Sequence, residues 1–282
     1  MRSGLARLAI DMCLMARLPD DAFGRILRRR AIAEGLDLSA ALLATELTTV
    51  AVVSLGSEGR ETYDFYAHGT VDWQWTDEDL AHLPNRTTIL HHGSLASRAC
   101  PGAERIARLA ARARADSEVI VSYDPNVRPL LLRDPRRSRR TIERNVTLAH
   151  IVKASAEDVK WLYEGFALDD VAARWLALGP SPVVLTDGAN GACAYASRLD
   201  RMSRPGISVE VVDTVGAADS FTSAFLASCL RRAINTPTRV AEATKRDIVG
   251  MLDDTNAASA ITCRRAGADP PLASELFMPP PP

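Results

Sequence analysis

The residues best suited to chemistry lie in the run from Ile207 to Arg232, ISVEVVDTVGAADSFTSAFLASCLRR. A β-patterned stretch leads into Asp213-Thr214, a small-residue turn follows at Gly216-Ala217-Ala218, and a helical pattern then takes over. Phe221, Phe225 and Cys229 recur at i, i+4 and i+8, so one face of that helix is buried. Small residues at a helix start leave backbone N–H groups open to an anion. Asp219 falls in the first turn. Taken alone, an acid there need only complement the helix dipole. Beside an anion-binding N-terminus it can also take a proton from an acceptor hydroxyl while the N–H groups hold a transferring phosphoryl group.

Other segments carry weaker signals. Asp124-Pro125-Asn126 follows an apolar run and reads as a turn. It also lies at the C-terminal end of an expected parallel strand, where α/β folds bind ligands. Thr186, Gly188 and Gly191 lead into another strand rather than a helix, so they form no dinucleotide fingerprint. Asp158 reads as an ordinary acid on an early helix turn, and Asn256 as a helix residue. His91 and His92 are adjacent on a strand and point to opposite faces, so they cannot share a metal. The Arg runs at 28–30 and 136–140 read as solvated helix faces. There is no Walker A loop, and no G-x-S-x-G elbow surrounds Ser94.

Positioning such residues requires a scaffold, and the pattern of the chain predicts one. Strands are expected at 48–55, 61–67, 87–92, 118–123, 150–154, 182–186, 192–197 and 207–212. Helices are expected at 20–34, 101–115, 136–149, 155–164, 169–178, 216–233 and 245–265. From residue 87 the order is mostly β, α, β, α, which implies a parallel sheet with helices on both faces. Two alternating strands around Gly56-Ser57-Glu58-Gly59 read as a hairpin flap.

Composition narrows the function. The 282 residues carry Lys+Arg 34 against Asp+Glu 35, a balance that does not favour nucleic-acid binding. Five scattered cysteines form no CxxC pair, which argues against a disulfide framework or zinc knuckle and suits a reduced cytoplasm. No apolar run reaches the ~18 residues of a membrane span, and Arg7, Asp11 and Arg17 interrupt any secretory signal. Pro-rich residues 279–282 read as a disordered tail.

Several segments together resemble one family, the ribokinase-like (PfkB) carbohydrate kinases. Asp213 to Asp219, DTVGAAD, resembles its D-T-x-G-A-G-D signature. Asp20-Asp21-Ala22-Phe23-Gly24 is similar to its D-D-x-F-G helix start, and Thr48-Thr49 to its flap strand. Asp124-Pro125-Asn126-Val127-Arg128-Pro129 resembles D-x-N-x-R-P of the fructokinase and 2-keto-3-deoxygluconate kinase branch. Lys153 to Asp158 resembles K-x-S-x-x-E, Thr186 to Gly191 resembles T-x-G-x-x-G, and Asn256 to Pro271 resembles the family's C-terminal motif.

The resemblance implies an α/β fold of the ribokinase-like three-layer α/β/α kind, with a mostly parallel central sheet and a small β flap. A single domain over 1–278 is expected, with the flap inserted near 45–72. The implied reaction is ATP-dependent phosphorylation of a primary sugar hydroxyl, with fructose as the leading substrate. By resemblance, Asp219 is the general base, and the N–H groups of Gly216, Ala217 and Ala218 stabilise the transferring phosphoryl group. Asn126 and Arg128 line the sugar and phosphate region. Lys153, Ser155, Thr186, Gly188 and Gly191 fall beside the nucleotide, with Asn256 near the adenine. Asp158 is implied as a ligand of Mg²⁺ through water, and a monovalent cation near Asp213 and Thr214 is allowed for. A homodimer through the β flap is compatible with the same family pattern.

Three departures bear on activity. Met1 to Leu8 already matches the family helix that follows a Gly-Gly sugar-binding segment, so that segment and a central strand are expected to be lacking. Ala218 replaces the second Gly of the signature, and a reduced but retained anion hole is expected. Ala67 stands where relatives often carry Arg, which favours a neutral sugar over an acidic one. Two alternatives stay open: a catalytically impaired or silent nucleotide- or sugar-binding relative, and a kinase for 2-keto-3-deoxygluconate or a nucleoside.

Overall fold

A computed structural model of the chain describes residues 1–55, 61–132 and 134–277. In chain order the strands are β1 (Ala16–Pro19), β2 (Ala41–Ala44), β3 (Val50–Leu55), β4 (Glu61–Tyr66), β5 (Ile89–Gly93), β6 (Ile120–Asp124), β7 (Ile151–Ser155), β8 (Val183–Thr186), β9 (Ala192–Ala196) and β10 (Leu199–Arg204). The helices are α1 (Arg2–Arg7), α2 (Ala22–Ala33), α3 (Gly102–Ala115), α4 (Pro129–Leu132), α5 (Pro135–Thr147), α6 (Ala156–Leu162), α7 (Leu168–Ala177), α8 (Ala217–Arg231), α9 (Pro237–Ala241), α10 (Lys245–Cys263) and α11 (Ala273–Leu276).

One six-stranded sheet, in the order β10-β9-β8-β7-β6-β5, organises the molecule. Strands β5 to β8 run parallel, and β9 and β10 fold back antiparallel. Side-chain alternation along each strand sorts the core into two layers. Val121, Tyr123, Val152 and Leu185 pack with Val146, Leu162 and Trp175 on one face. Ile120, Ile151 and Val184 pack with Phe221, Phe225, Met251 and Leu252 on the other. Helices α5, α6 and α7 therefore cover one face, and α8 and α10 the other. β6 and β7 are buried along almost their whole length, as strands covered on both faces are, and the polar residues they carry, Ser122, Asp124 and Lys153, are buried with them.

β5 ends the sheet and is half-buried along its length, whereas β6 is buried throughout. β1 and β2 pair parallel in a separate two-stranded sheet, connected through α2. Among the described residues no ladder joins that pair to β5.

The flap strands β3 and β4 pair antiparallel from Val50↔Tyr66 to Leu55↔Glu61. The turn expected at Gly56-Ser57-Glu58-Gly59 and the tail at 279–282 lie outside the described residues. Asp21 anchors the flap's base. Its carboxylate caps α2 by accepting the Gly24 N–H at 2.7 Å, and accepts the Thr48 N–H and hydroxyl at 2.8 and 2.7 Å. These bonds, Gly24's first, hold the Asp21 carboxyl down at about 2. Two motifs separated in sequence thus meet at one carboxylate.

The segment 207–212 corrects an expectation. It reads as a strand but forms none, and Ile207, Val211 and Val212 are exposed. The edge strand is β10 instead, a polar stretch in which only Met202 is fully buried. An edge strand needs one buried side chain and a partner's backbone, so its sequence carries little β signal. β1 and β2 were also not apparent in the sequence; each spans four residues.

Three histidines are kept neutral by the fold. Burial pushes His91 to about 4 and His92 to about 3. Burial, with Arg114 nearby, holds His150 at about 4, and its Nδ1 accepts the Val121 N–H at 2.9 Å. In each case the unfolded chain binds the proton first. The stability they contribute is fully present above pH 6.5 and is lost as pH falls toward 4. Each should cost about 2 kcal/mol between pH 7 and pH 5, so urea midpoints are expected to drop steeply across that window. A flat profile from pH 7 to 5 would contradict the assignment.

Candidate active site

The site forms where β6 and β7 end and α8 begins. β6 places Asp124 in a buried ion pair with Lys153 of β7, Oδ2 to Nζ at 3.1 Å. The other Asp124 oxygen accepts the Asn126 N–H at 3.0 Å. Asn126 takes a left-handed backbone, φ 38°, which Asn tolerates better than most residues. Its Oδ1 accepts the Arg128 guanidinium at 2.7 Å. Among the described residues its side-chain amine makes no hydrogen bond, and the residue is half-exposed. It can therefore present a donor to a hydroxyl-rich ligand.

Asp158 sits beneath this turn. Its Oδ1 accepts the Val127 N–H at 3.0 Å, and it completes a capping box with Ser155 at the start of α6. Burial, then the nearby Asp124, pushes the Asp158 carboxyl upward, against the pull of Lys153. Register pairs Ser155 with Thr186 at the neighbouring ends of β7 and β8. Beyond Thr186, Gly188 and Gly191 have φ of 52° and 89°. A side chain at Gly191 would strike the backbone of 204–206, so only glycine lets these loops pack.

At the start of α8, Gly216 has φ 84°, and a Cβ there would lie 2.8 Å from that of Ala268. Asp213 holds the turn with both carboxylate oxygens, accepting from Val215 at 2.9 Å and Gly267 at 2.8 Å. Among the described residues, the amides of Gly216, Ala218 and Asp219 make no hydrogen bond. Ala217 differs from expectation, because its N–H donates to the Thr214 carbonyl at 3.2 Å. The Asp219 side chain is 59% exposed. Burial works to raise its carboxyl, but the Met1 ammonium at 3.1 Å outweighs this and holds it below the ordinary range. Lys153 and His91 act on it more weakly in the same direction. The carboxylate is thus ionised and open to solvent at the start of α8.

Several candidate residues make contacts within the protein that the sequence does not foretell. Lys153, placed beside the nucleotide by sequence, is buried with its ammonium on Asp124. Asn256 is buried too, and its amide donates to the carbonyls of Arg204 and Pro205 at 3.3 and 2.9 Å. It holds the loop against which Gly191 packs. The small residues around it let α10 approach α8, where Ser259 bonds the Ala217 carbonyl and Ser220 the Ala258 carbonyl, both at 3.2 Å. His91, set aside as a metal ligand, bonds Ser122 at 3.1 Å within electrostatic range of Asp219.

The donor set does not form a protein cage for a divalent cation; among the described residues no cluster of three ligands occurs. A carboxylate such as Asp158 suits a hard divalent cation only in company with ligands from outside the chain.

Ala218 lies in the helix and is exposed, so its methyl strains no backbone. Ala218→Gly is expected to leave kcat within about twofold and to lower stability by up to about 1 kcal/mol, through lost helix propensity. A tenfold gain in kcat would show that the methyl crowds the phosphate.

Comparisons with known proteins give this geometry a context. The pattern described as pfkB family carbohydrate kinase matches residues 3–275. A fructokinase of Rhizobium leguminosarum bv. trifolii is 35% identical over 224 residues, 79% of this chain and 68% of the relative. Fructokinase-1 of Oryza sativa subsp. japonica is 30% identical over 275 residues, 96% of this chain and 83% of the relative. Among solved structures, fructokinase of Xylella fastidiosa with bound ATP superposes with a TM-score of 0.88. It is 23% identical, covering 98% of this chain and 87% of that one. These structures share the ribokinase-like fold the sequence led us to expect.

Proposed function

The chain belongs to the pfkB family of carbohydrate kinases and is an ATP-dependent sugar kinase, and we propose fructose as its acceptor. The observation that carries the reading is an exposed Asp219 in the first turn of the helix whose opening amides, those of Gly216 and Ala218, are unengaged. Asp219 takes the proton of the sugar's primary hydroxyl. As that oxygen forms its bond to the γ-phosphorus, the bond to the β-phosphate oxygen breaks and ADP leaves. The amides receive the charge spread over the phosphoryl oxygens. The Asn126 amine and Arg128 orient the acceptor. Thr186, Gly188 and Gly191 shape the nucleotide corner, and Asn256 supports it from behind.

Bound to the nucleotide, Mg²⁺ would neutralise phosphate charge, with Asp158 as its outer partner. Asp213 has each oxygen occupied by an amide, so a monovalent cation there would share those oxygens. Ala67 offers no cation near the flap, which favours a neutral sugar. The five free cysteines are consistent with a cytoplasmic setting, and no described helix is long and apolar enough to cross a membrane. Val52 and Tyr66 expose apolar surface on the flap, consistent with a dimer through it.

A coupled ADP-release assay with fructose, ribose, adenosine and 2-keto-3-deoxygluconate tests the reading. The highest kcat/KM is expected for fructose. Turnover confined to another acceptor would replace the substrate, and turnover of none would overturn the proposal.

A further inference from the structure

We propose that Arg98 is a positioning residue that locks Asn126 into its left-handed turn and thereby sets the affinity for the sugar; this rests on the function proposed above. Arg98 follows β5 and turns its guanidinium between two strand ends. Its Nε donates to the Ser94 carbonyl at 3.2 Å and its Nη2 to the Asn126 carbonyl at 3.1 Å. Both acceptors belong to residues of positive φ, 53° and 38°. Such backbones persist only where the surroundings hold them.

Around Asn126 the hold is complete. Asp124 takes its N–H, Arg98 its carbonyl, and Arg128 its side-chain oxygen. Only the amine is left to meet a ligand. The Ser94 N–H donates to the Asp124 carbonyl at 2.9 Å, and a Cβ on Gly93 would strike that same carbonyl. The tips of β5 and β6 are therefore pressed together, with Arg98 bolted across them.

The choice of arginine is informative. Two carbonyls at different angles suit a rigid planar fork, and lysine has no such fork. Among the described residues Arg98 makes no ion pair, and its Nη1 is buried without a partner. Burial pulls its pKa below the ordinary guanidinium value, against the support of Asp158 and, more weakly, Asp124 at a distance. A half-buried cation that bonds carbonyl oxygens rather than an acid, with one nitrogen left unpartnered, is poorly placed for stability alone. It is well placed to hold a ligand-binding loop.

The test is steady-state kinetics of Arg98→Met, Arg98→Lys, Asn126→Ala and the double variant Arg98→Met/Asn126→Ala, varying fructose and ATP separately. Arg98→Met should raise the KM for fructose about tenfold, as expected for one lost oriented contact, and move the KM for ATP less than about twofold. Arg98→Lys should fall between, and it decides the matter if the methionine variant does not fold. In the Asn126→Ala background, Arg98→Met should add less than about threefold, because both act through one residue.

Multiplying effects, or equal rises in both KM values, would overturn the proposal. If Asn126→Ala raises the fructose KM and neither Arg98 variant does, the Arg98 role falls and the function stands. If Asn126→Ala changes nothing, the role of Asn126 at the sugar falls, and this proposal with it. If the wild-type chain phosphorylates no sugar, the function reading has failed. The clamp is then read from hydrogen exchange at Asn126 and Val127, which Arg98→Met should accelerate at least about tenfold; unchanged exchange would overturn it.

Discussion

Asp219→Asn should lower kcat by at least about a thousandfold while leaving nucleotide affinity within about threefold. The substitution keeps shape and position at the start of α8 but removes the ability to accept a proton. General-base contributions of about 10²–10⁴ are typical, and among the described residues the ionisable groups acting on Asp219 are engaged elsewhere. Lys153 is already engaged with Asp124, and burial keeps His91 neutral but sets it within the sheet, bonded to Ser122. Folding should hardly change, because a carboxylate in a first helical turn contributes only about 0.3–1 kcal/mol through the helix dipole, and its ion pair with the Met1 ammonium is solvent-exposed and worth about 0–1 kcal/mol. Paired measurements of turnover and of ATP binding by calorimetry check both halves. Turnover within tenfold of wild type would remove Asp219 from the reaction, and a parallel loss of ATP binding would show that the residue shapes the nucleotide site instead.

Lys153→Met should destabilise the chain by about 3–5 kcal/mol, because it strands the Asp124 carboxylate in the core. The pair is nearly inaccessible, with side-chain exposures of 7% and 12%. A fall in melting temperature on the order of 10 °C follows for a chain of this size. Activity should suffer further, since Asp124 also fixes the Asn126 N–H. The companion variant Lys153→Met/Asp124→Asn separates the causes. A neutral amide needs no counter-charge, so at least half of the lost stability should return, whereas sugar affinity should not. Loss of less than about 1 kcal/mol in the single variant would mean that water reaches the pair and that the buried ion pair is not what holds these strands together.

The scaffold was largely legible in the sequence wherever one residue's surroundings are set by its own chain neighbours. Helices α3, α5, α7, α8 and α10 begin and end within about two residues of their periodic patterns. The apolar runs of β6 to β8 announced strands buried on both faces. Where burial depends on distant chain, the pattern misled. Residues 207–212 alternate like a strand but find no partner, and β10 has a partner but little pattern.

The site divides along the same line. Motifs identified the turn before Phe221, the Asp124 to Arg128 segment and the small-residue helix near Asn256. They did not reveal that Lys153 pairs with Asp124 or that Asn256 holds the carbonyls of Arg204 and Pro205, because the letters alone do not tell what a buried side chain touches. They also passed over Arg98, which has no motif around it, and whose importance is a matter of two carbonyls brought together from separate strands.

By itself, then, the order of residues determined which backbone turns are affordable: glycine at 216 and 191, Asn at 126, an acid at the third position of α8. Those are local choices, decided by sterics and by the amides a helix start leaves unpaired. Only the tertiary structure decided which charges are spent on one another and which face the cleft. Coulombic pairing and desolvation act across space between β5, β6, β7 and α8, and distance along the chain carries no record of them.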